Sequence, residues 1–175
     1  MSKGIKKTVY SRSEQTLKRK LIAIPIFIFI LKIFVMLNIP GDVWKSWSGG
    51  WAGADGEHYI IGMLAILVDG IFSDDIKLLF WPAGYPLLIS IFGKISSEGT
   101  LYFVSVIQSA FYAYASFYFV ESLRKTSLKI VAFALALILG LNPTLSLSSL
   151  VVGYESLAAS CMLLLVAKIT MTSKL

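Results

Sequence analysis

An apolar run that directly follows a basic segment is the feature of this sequence that most constrains its fold. Residues 21–37 are almost entirely Ile, Leu, Phe and Val, with Pro25 near the start and Lys32 inside the run. At about 1.5 Å per residue, a helix of this length just spans the hydrocarbon core of a bilayer. Because 57% of the 175 residues are hydrophobic, the composition excludes an ordinary soluble domain and predicts an all-α polytopic membrane protein.

The charge of the chain is concentrated at its N-terminus. Residues 1–20 hold seven Lys or Arg residues and one acid, Glu14, so their net charge of +6 equals that of the whole chain. A basic segment that runs straight into an apolar helix follows the positive-inside rule, and it does not indicate nucleic-acid binding. We therefore predict a cytoplasmic basic tail at 1–20, an uncleaved signal anchor, and a multi-pass protein integral to the plasma (inner) membrane.

Further apolar runs complete the predicted transmembrane domain, 21–175. The sequence predicts four transmembrane helices, at about 21–37, 101–120, 128–142 and 155–169. An acidic loop at 38–100 then lies outside, and the basic connection at 121–129 lies inside. The apolar runs 58–72 and 83–96 are short for a span, so we favour interfacial helices there. A six-span alternative, in which both runs cross, keeps the same orientation and stays open.

Small residues form one face of the second predicted span. Ser105, Ser109 and Ala113 recur at every fourth position of an otherwise bulky apolar run. Residues at this spacing lie on one side of a helix, and small side chains there let two helix backbones approach closely in a membrane. The pattern predicts that this face packs against another helix.

Three short segments combine acids, aromatic residues, glycine and proline. Two lie in the predicted outside loop and one follows the third span. They are Ala54-Asp55-Gly56-Glu57-His58-Tyr59, Trp81-Pro82-Ala83-Gly84-Tyr85-Pro86-Leu87-Leu88, and Asn142-Pro143 with Gly153-Tyr154-Glu155-Ser156-Leu157. Carboxylates on the non-cytoplasmic face, close to an aromatic and proline-rich turn, are what an enzyme that acts on lipid-linked substrates needs.

These segments resemble motifs of the GT-C superfamily of membrane glycosyltransferases. The first resembles its Asp-Gly-x-x-Tyr motif, the second its Pro-Gly-Tyr-Pro-Leu segment, and the third its Thr-Glu-Thr-Leu stretch. The superfamily includes protein O-mannosyltransferases and the aminoarabinose transferase of lipid A, and the first two segments are also similar to mannosyltransferases of glycosylphosphatidylinositol assembly. The resemblance covers roughly residues 15–170. It implies one helix, then a large outside loop with membrane-lying helices, and a polyprenyl-phosphate sugar as donor.

The length of the chain departs from that family. Its members run to several hundred residues, with more helices and often a soluble C-terminal domain, whereas this sequence ends at Leu175. The resemblance therefore implies an N-terminal portion of such an enzyme or a truncated product. The residues that hold the donor phosphate are then expected downstream.

Asp55 is the predicted catalytic residue. The resemblance implies that its carboxylate acts as the general base of an inverting displacement and deprotonates the acceptor as it attacks the anomeric carbon. The alternative is that Asp55 caps a helix that starts near Glu57. Both interpretations stay open from the sequence.

Five further residues are predicted to bind substrate: Glu57, His58, Tyr59, Tyr85 and Glu155. For Glu57 and Glu155 the alternative is an acid that stabilises the first turn of a helix. His58 is the one histidine, so a His-rich metal site is excluded, and it is expected to hydrogen-bond beside the acids. For Tyr85 the alternative is anchoring at the membrane interface.

No cofactor is predicted. Some branches of the superfamily use a divalent metal and others do not, and Asp55 with Glu57 is too small a ligand set to predict one. The expected partners are the polyprenyl-phosphate sugar donor, a lipid, glycan or protein acceptor, and membrane lipid, with no nucleic acid.

Two alternatives to an active enzyme stay open. One is a small non-catalytic membrane protein, such as a transporter or complex subunit, and the other is an inactive fragment. A transporter tends to place ionisable groups mid-membrane, whereas here Lys32 is the clear case and the acids lie in the outside loop. Lys32 itself is expected to have a structural role, reaching the interface or pairing with an acid.

Overall fold

The structure is a computed structural model that describes residues 2–38, 53–75, 78, 83–95, 100–125, 129–142, 150 and 152–172. Within helices, the side chains of 2–14, 18, 35–36, 53–55 and 129 lie outside that description. The described residues form helices and no strand, which confirms the all-α prediction. The helices are α1 (Ser2–Asn38), α2 (Gly53–Asp69), α3 (Gly84–Ile95), α4 (Thr100–Arg124), α5 (Lys129–Leu141) and α6 (Glu155–Thr172).

The helix α1 joins the basic segment and the first apolar run into one element. It runs without a break for 37 residues and contains Pro25 in its interior. The sequence did not predict a helix in 1–20. Its lysines, arginines, leucine and glutamate are good helix formers, and an established helix extends at little cost into such residues. At its other end, the Asn38 side chain donates to the Phe34 carbonyl at 2.8 Å.

Among the described residues, two helices, α4 and α6, are long and apolar enough to cross a membrane by length and composition. They match the predicted spans 101–120 and 155–169, although each is longer than predicted. The helix α5 has 13 residues, which corresponds to about 20 Å, less than the roughly 30 Å of a hydrocarbon core. The spans at 21–37 and 128–142 stay predictions.

The helices α2 and α3 lie in the predicted outside loop and pack against each other. The helix α2 begins and ends earlier than the predicted run 58–72. It ends because Gly70 has a φ of +89° and donates its N–H to the Ile66 carbonyl at 3.0 Å, a common helix stop. A Cβ at Gly62 would come within 3.1 Å of the Pro86 ring, so this glycine sets how closely α2 and α3 approach.

The helix α4 is the centre of the fold, since it contacts α1, α3, α5 and α6. Two buried apolar clusters lie against its two halves. The first, beside the N-terminal half, consists of Tyr59, Met63, Tyr85, Ile89, Val104 and Val152. The second, beside the C-terminal half, consists of Leu21, Val120, Ala132, Ala136 and Leu139. Ser105 and Ser109 are fully buried, which confirms the predicted packing face, while Ala113 is half-buried.

Candidate functional site

The hydroxyl of Tyr85 joins three separate parts of the chain. It accepts one hydrogen bond from Gln108 Nε2 and one from the Gly153 backbone N–H, each at 3.0 Å. Gln108 Nε2 also donates to the Gly153 carbonyl at 2.8 Å. Because that carbonyl is an acceptor only, the contact fixes which way the Gln108 amide points. We refer to Tyr85, Gln108 and Gly153 as the tyrosine junction.

A buried polar face of α4 positions the junction. Ser105, Gln108, Ser109 and Tyr112 follow the spacing of one helix face, and all four are buried. Ser105 Oγ donates to the Leu150 carbonyl at 2.7 Å. Gln108, about one turn further along α4, donates to the Gly153 carbonyl. The segment that leads into α6 is therefore held to α4 through the backbone carbonyls of Leu150 and Gly153. Such contacts need hydrogen-bond donors on α4, but they need no particular side chain on the segment.

Aromatic contacts extend the junction to α2. The ring of Tyr59 is fully buried and packs edge-to-face on Tyr85, with ring centroids 5.1 Å apart and planes at 77°. Tyr59 makes a second edge contact, at 6.1 Å and 84°, with Tyr154. Pairs of this geometry contribute about 0.5–1.5 kcal/mol beyond their buried area. Tyr59 therefore links the first motif to both of the others.

The carboxylate of Glu155 lies over the Cα of Gly153. A Cβ added at Gly153 would collide with Glu155 Oε2, so the absence of a side chain at 153 makes room for the acid. Glu155 is the first residue of α6, where the helix dipole favours a negative charge. The same charge also reaches Tyr85. Burial raises the pKa of the Tyr85 phenol, the Gly153 hydrogen bond opposes the rise, and the charges of Glu155 and Tyr59 add to it.

The predicted catalytic Asp55 lies in the first turn of α2, one turn before Tyr59. Its side chain is outside the described part of the structure. The alternative interpretation placed Asp55 before a helix that starts near Glu57, whereas α2 begins at Gly53 and includes Asp55 in its first turn. The residues that follow are accessible to different degrees, since Glu57 is exposed and His58 is half-buried.

The structure brings three of the predicted site residues into one cluster: Tyr59, Tyr85 and Glu155. It encloses the two tyrosines, whereas Glu155 and its neighbour Tyr154 remain exposed. The accessible groups of the cluster are thus the Glu155 carboxylate and the Tyr154 phenol. Trp81 and Pro82 of the second motif lie outside the described residues. Asn142 donates its backbone N–H to the Ile138 carbonyl and ends α5.

Gln108 is the site residue that sequence reasoning missed. The available signal was an amide inside the uncharged apolar run 101–120, where a polar side chain needs a partner. Two polar atoms near the junction have no hydrogen-bond partner among the described residues, Gln108 Oε1 and Ser156 Oγ, and both are buried. They leave an acceptor and a hydroxyl for a water molecule or a bound hydroxyl group.

Metal ligands are not clustered in the part of the chain that the structure describes. No three His, Cys, Asp or Glu side chains there lie close enough together to hold an ion. The chemistry that the described groups offer is hydrogen bonding and charge: exposed carboxylates can orient or deprotonate a hydroxyl, and the junction can hold them in place.

Comparison of the chain with protein-family models, with curated proteins and with solved structures yields no match.

Proposed function

We propose that this chain is a membrane glycosyltransferase, or the N-terminal part of one, that moves a sugar from a polyprenyl-phosphate donor to an acceptor hydroxyl. One observation carries the proposal. Three motifs that are far apart in sequence meet at one end of the fold, through the Tyr59–Tyr85 ring contact and the Tyr85–Gly153 hydrogen bond. The convergence of the three motifs supports a shared site.

In the proposed reaction, Asp55 takes the proton from the acceptor hydroxyl. The acceptor oxygen forms a bond to the anomeric carbon, and the bond between that carbon and the phosphate oxygen breaks with inversion. The electron pair leaves with the polyprenyl phosphate. A base positioned beside its substrate typically contributes about 10²–10⁴-fold to the rate.

The other predicted residues divide between binding and positioning. Glu57, His58 and Glu155 are accessible or half-buried and bind substrate hydroxyls in the proposal. Tyr59 and Tyr85 are enclosed, so they act as positioning residues that hold α2 and the start of α6 together. The sequence predicted that Tyr85 binds substrate directly. Because Tyr85 is buried, we assign it a positioning role in place of direct substrate contact.

The proposed placement is multi-pass in the plasma (inner) membrane with the N-terminus in the cytoplasm. The basic residues of 1–20 support this orientation, as does Arg124 at the C-terminal end of α4. The tyrosine junction lies beside the N-terminal half of α4, away from Arg124. In this placement the carboxylates face the extracytoplasmic side, where polyprenyl-linked sugars are used.

A non-catalytic membrane subunit is the second candidate function. The complete burial of Tyr59 and the near-complete burial of Tyr85 favour it, because an enclosed aromatic cluster serves as a packing centre with or without a substrate. In that case the exposed carboxylates Glu57 and Glu155 belong to a surface for a partner chain.

Sugar transfer in membranes that contain the native protein tests the proposal. The variant Asp55→Asn keeps the shape of the side chain and removes the base, so transfer from a labelled polyprenyl-phosphate sugar should fall at least about a hundredfold. Asp69→Asn, at the exposed far end of α2, is the matched control and should retain normal transfer. Equal transfer by Asp55→Asn and the unmodified protein, at equal abundance, rejects the catalytic assignment.

A further inference from the structure

An exposed tyrosine and an exposed glutamate lie next to each other where α6 begins. Tyr154 is 48% exposed, and Glu155, the first residue of α6, is exposed as well. The buried apolar cluster beside them contains Tyr59 and Tyr85 and includes neither of the two. The side chains of Tyr154 and Glu155 are therefore accessible to a ligand.

The backbone around this pair is fixed on both sides. The tyrosine junction holds Gly153 through its N–H and its carbonyl. The Tyr154 carbonyl accepts the Ala158 N–H at 2.8 Å, which starts the hydrogen bonding of α6. The missing side chain at Gly153 makes room for the Glu155 carboxylate. Groups that are already held in place lose less conformational freedom when a ligand binds.

The ring of Tyr154 presents a face to this site. Its contact with Tyr59 is edge-to-face, with ring centroids 6.1 Å apart and planes at 84°, so Tyr59 covers at most one face of the Tyr154 ring. The face of an aromatic ring carries partial negative charge and attracts C–H groups. A sugar ring presents C–H groups on one side and hydroxyls at its edge, whereas a serine or threonine side chain presents a single hydroxyl.

The polar groups at the start of α6 suit a ligand with several hydroxyls. The Glu155 carboxylate is an acceptor of hydrogen bonds. Gln108 Oε1 and Ser156 Oγ are buried nearby, and neither has a hydrogen-bond partner among the described residues. A water molecule can link such enclosed atoms to a ligand. A neutral hydroxyl donates to these oxygens, whereas a phosphate is repelled by the carboxylate.

This repulsion favours the acceptor over the donor as the ligand of the pair. The donor sugar has the phosphate on its anomeric carbon, so a carboxylate beside that sugar would lie close to the phosphate charge. The backbone agrees with this choice. Asp55, the proposed base for the acceptor, is one turn, about 6 Å, before Tyr59 on α2, and the Tyr59 ring contacts Tyr154.

We propose that Tyr154 and Glu155 bind a sugar ring of the acceptor, with the C–H side of the ring on the Tyr154 face and one of its hydroxyls donating to the Glu155 carboxylate. The acceptor is then a glycan, and the new bond joins one sugar to another. This inference rests on the proposed transfer reaction and names the class of molecule that receives the sugar.

The linkage in the product tests this proposal. Membranes with and without the native protein are incubated with polyprenyl-phosphate mannose, glucose or arabinose, each labelled in the sugar, and the labelled products are analysed by mass spectrometry. The expected protein-dependent product has the label in a glycosidic bond to another sugar. Label on serine, threonine or a lipid hydroxyl overturns the acceptor assignment and leaves the transfer reaction standing. Absence of any protein-dependent product rejects the transfer reaction, and this proposal with it.

Variants of Tyr154 test the ring contact. The purified full chain in proteoliposomes receives increasing amounts of an extract of membranes that lack the protein, as the source of unmodified acceptor. Tyr154→Leu should raise the amount of extract that gives half-maximal transfer about three- to tenfold, with little change in the maximal rate. Tyr154→Phe keeps the ring and should raise it less.

Tyr114→Leu, on a similarly exposed tyrosine of α4, is the matched control and should leave that amount unchanged. A Tyr154→Leu protein that behaves like Tyr114→Leu, or that loses maximal rate alone, overturns the assignment. Thermal midpoints check each variant for folding. The product linkage needs no variant, so it remains the test if Tyr154→Leu fails to fold.

Discussion

The Tyr85 hydroxyl accepts a hydrogen bond at 3.0 Å from the backbone N–H of Gly153, 68 residues further along the chain. Gln108 donates to both residues, so the three groups satisfy one another where α3, α4 and the start of α6 meet. A peptide N–H that lost this partner inside the fold would be left without an acceptor, which typically costs about 1–3 kcal/mol. The junction is thus a specific tie between distant segments.

Removing the Tyr85 hydroxyl should destabilise the protein. In Tyr85→Phe the ring still packs on Tyr59, but the Gly153 N–H and one Gln108 N–H lose their acceptor. We expect a loss of about 1–3 kcal/mol of unfolding free energy, measured as a lower thermal midpoint in detergent. Tyr114→Phe, on an exposed tyrosine of α4, is the control and should unfold like the unmodified protein.

Gln108 and Tyr85 should act as one unit. The single variant Gln108→Leu removes the donor to both Tyr85 and Gly153. Because the two side chains share partners, the double variant with Tyr85→Phe should be less destabilised than the sum of the singles, with a coupling of about 0.5–3 kcal/mol. A double-mutant cycle of unfolding free energies measures this coupling. Simple additivity would show that the two side chains act separately.

A side chain at position 153 should displace the Glu155 carboxylate without unfolding the protein. The atom that a Cβ would meet is the end of a flexible side chain, which can rotate away. We expect Gly153→Ala to accumulate in membranes at a normal level, to unfold within about 1 kcal/mol of the parent, and to lose sugar transfer to the same extent as Glu155→Gln.

Gly84→Ala is the matched control for that comparison, because a Cβ at Gly84 meets no atom of the described residues within 4 Å. It should retain both stability and transfer. Normal transfer by Gly153→Ala together with a defect in Glu155→Gln would mean that the carboxylate works from another position.

The contact between α1 and α5 should depend on Gly140. A Cβ there would overlap the Cδ1 atom of Ile28, so Gly140→Ala should separate the helices and cost about 1–3 kcal/mol, as overpacking typically does. Ile28→Val removes the overlapping methyl group and should restore much of the lost stability. Thermal midpoints of the two single variants and the double variant measure this. A double variant no more stable than Gly140→Ala alone would place the strain elsewhere.

The helices that the sequence predicted well are those whose limits are set by local chemistry. The helices α4 and α6 were recognisable because each contains a long run with few charges, and α5 because Asn142-Pro143 follows it. The helical state of the basic segment was not predicted. Its charges are the basis of the proposed orientation and contain little information about its backbone.

Part of the candidate site was also predictable. Tyr59, Tyr85 and Glu155 were chosen from motifs, and the structure brings them together. Gln108 was not predicted because its partners are a phenol 23 residues earlier and a backbone carbonyl 45 residues later. No local pattern encodes a partner at that distance, least of all when the partner is a peptide group that every residue has.

The long separation between Tyr85 and Gly153 also sets an order of events during synthesis. At about 5–20 residues per second, Gly153 is made several seconds after Tyr85, whereas Gln108, the other donor to the Tyr85 hydroxyl, is made sooner. The helices α2 and α3 can therefore pack on each other and on α4 before α6 exists. Closure of the tyrosine junction by the Gly153 N–H is the late step.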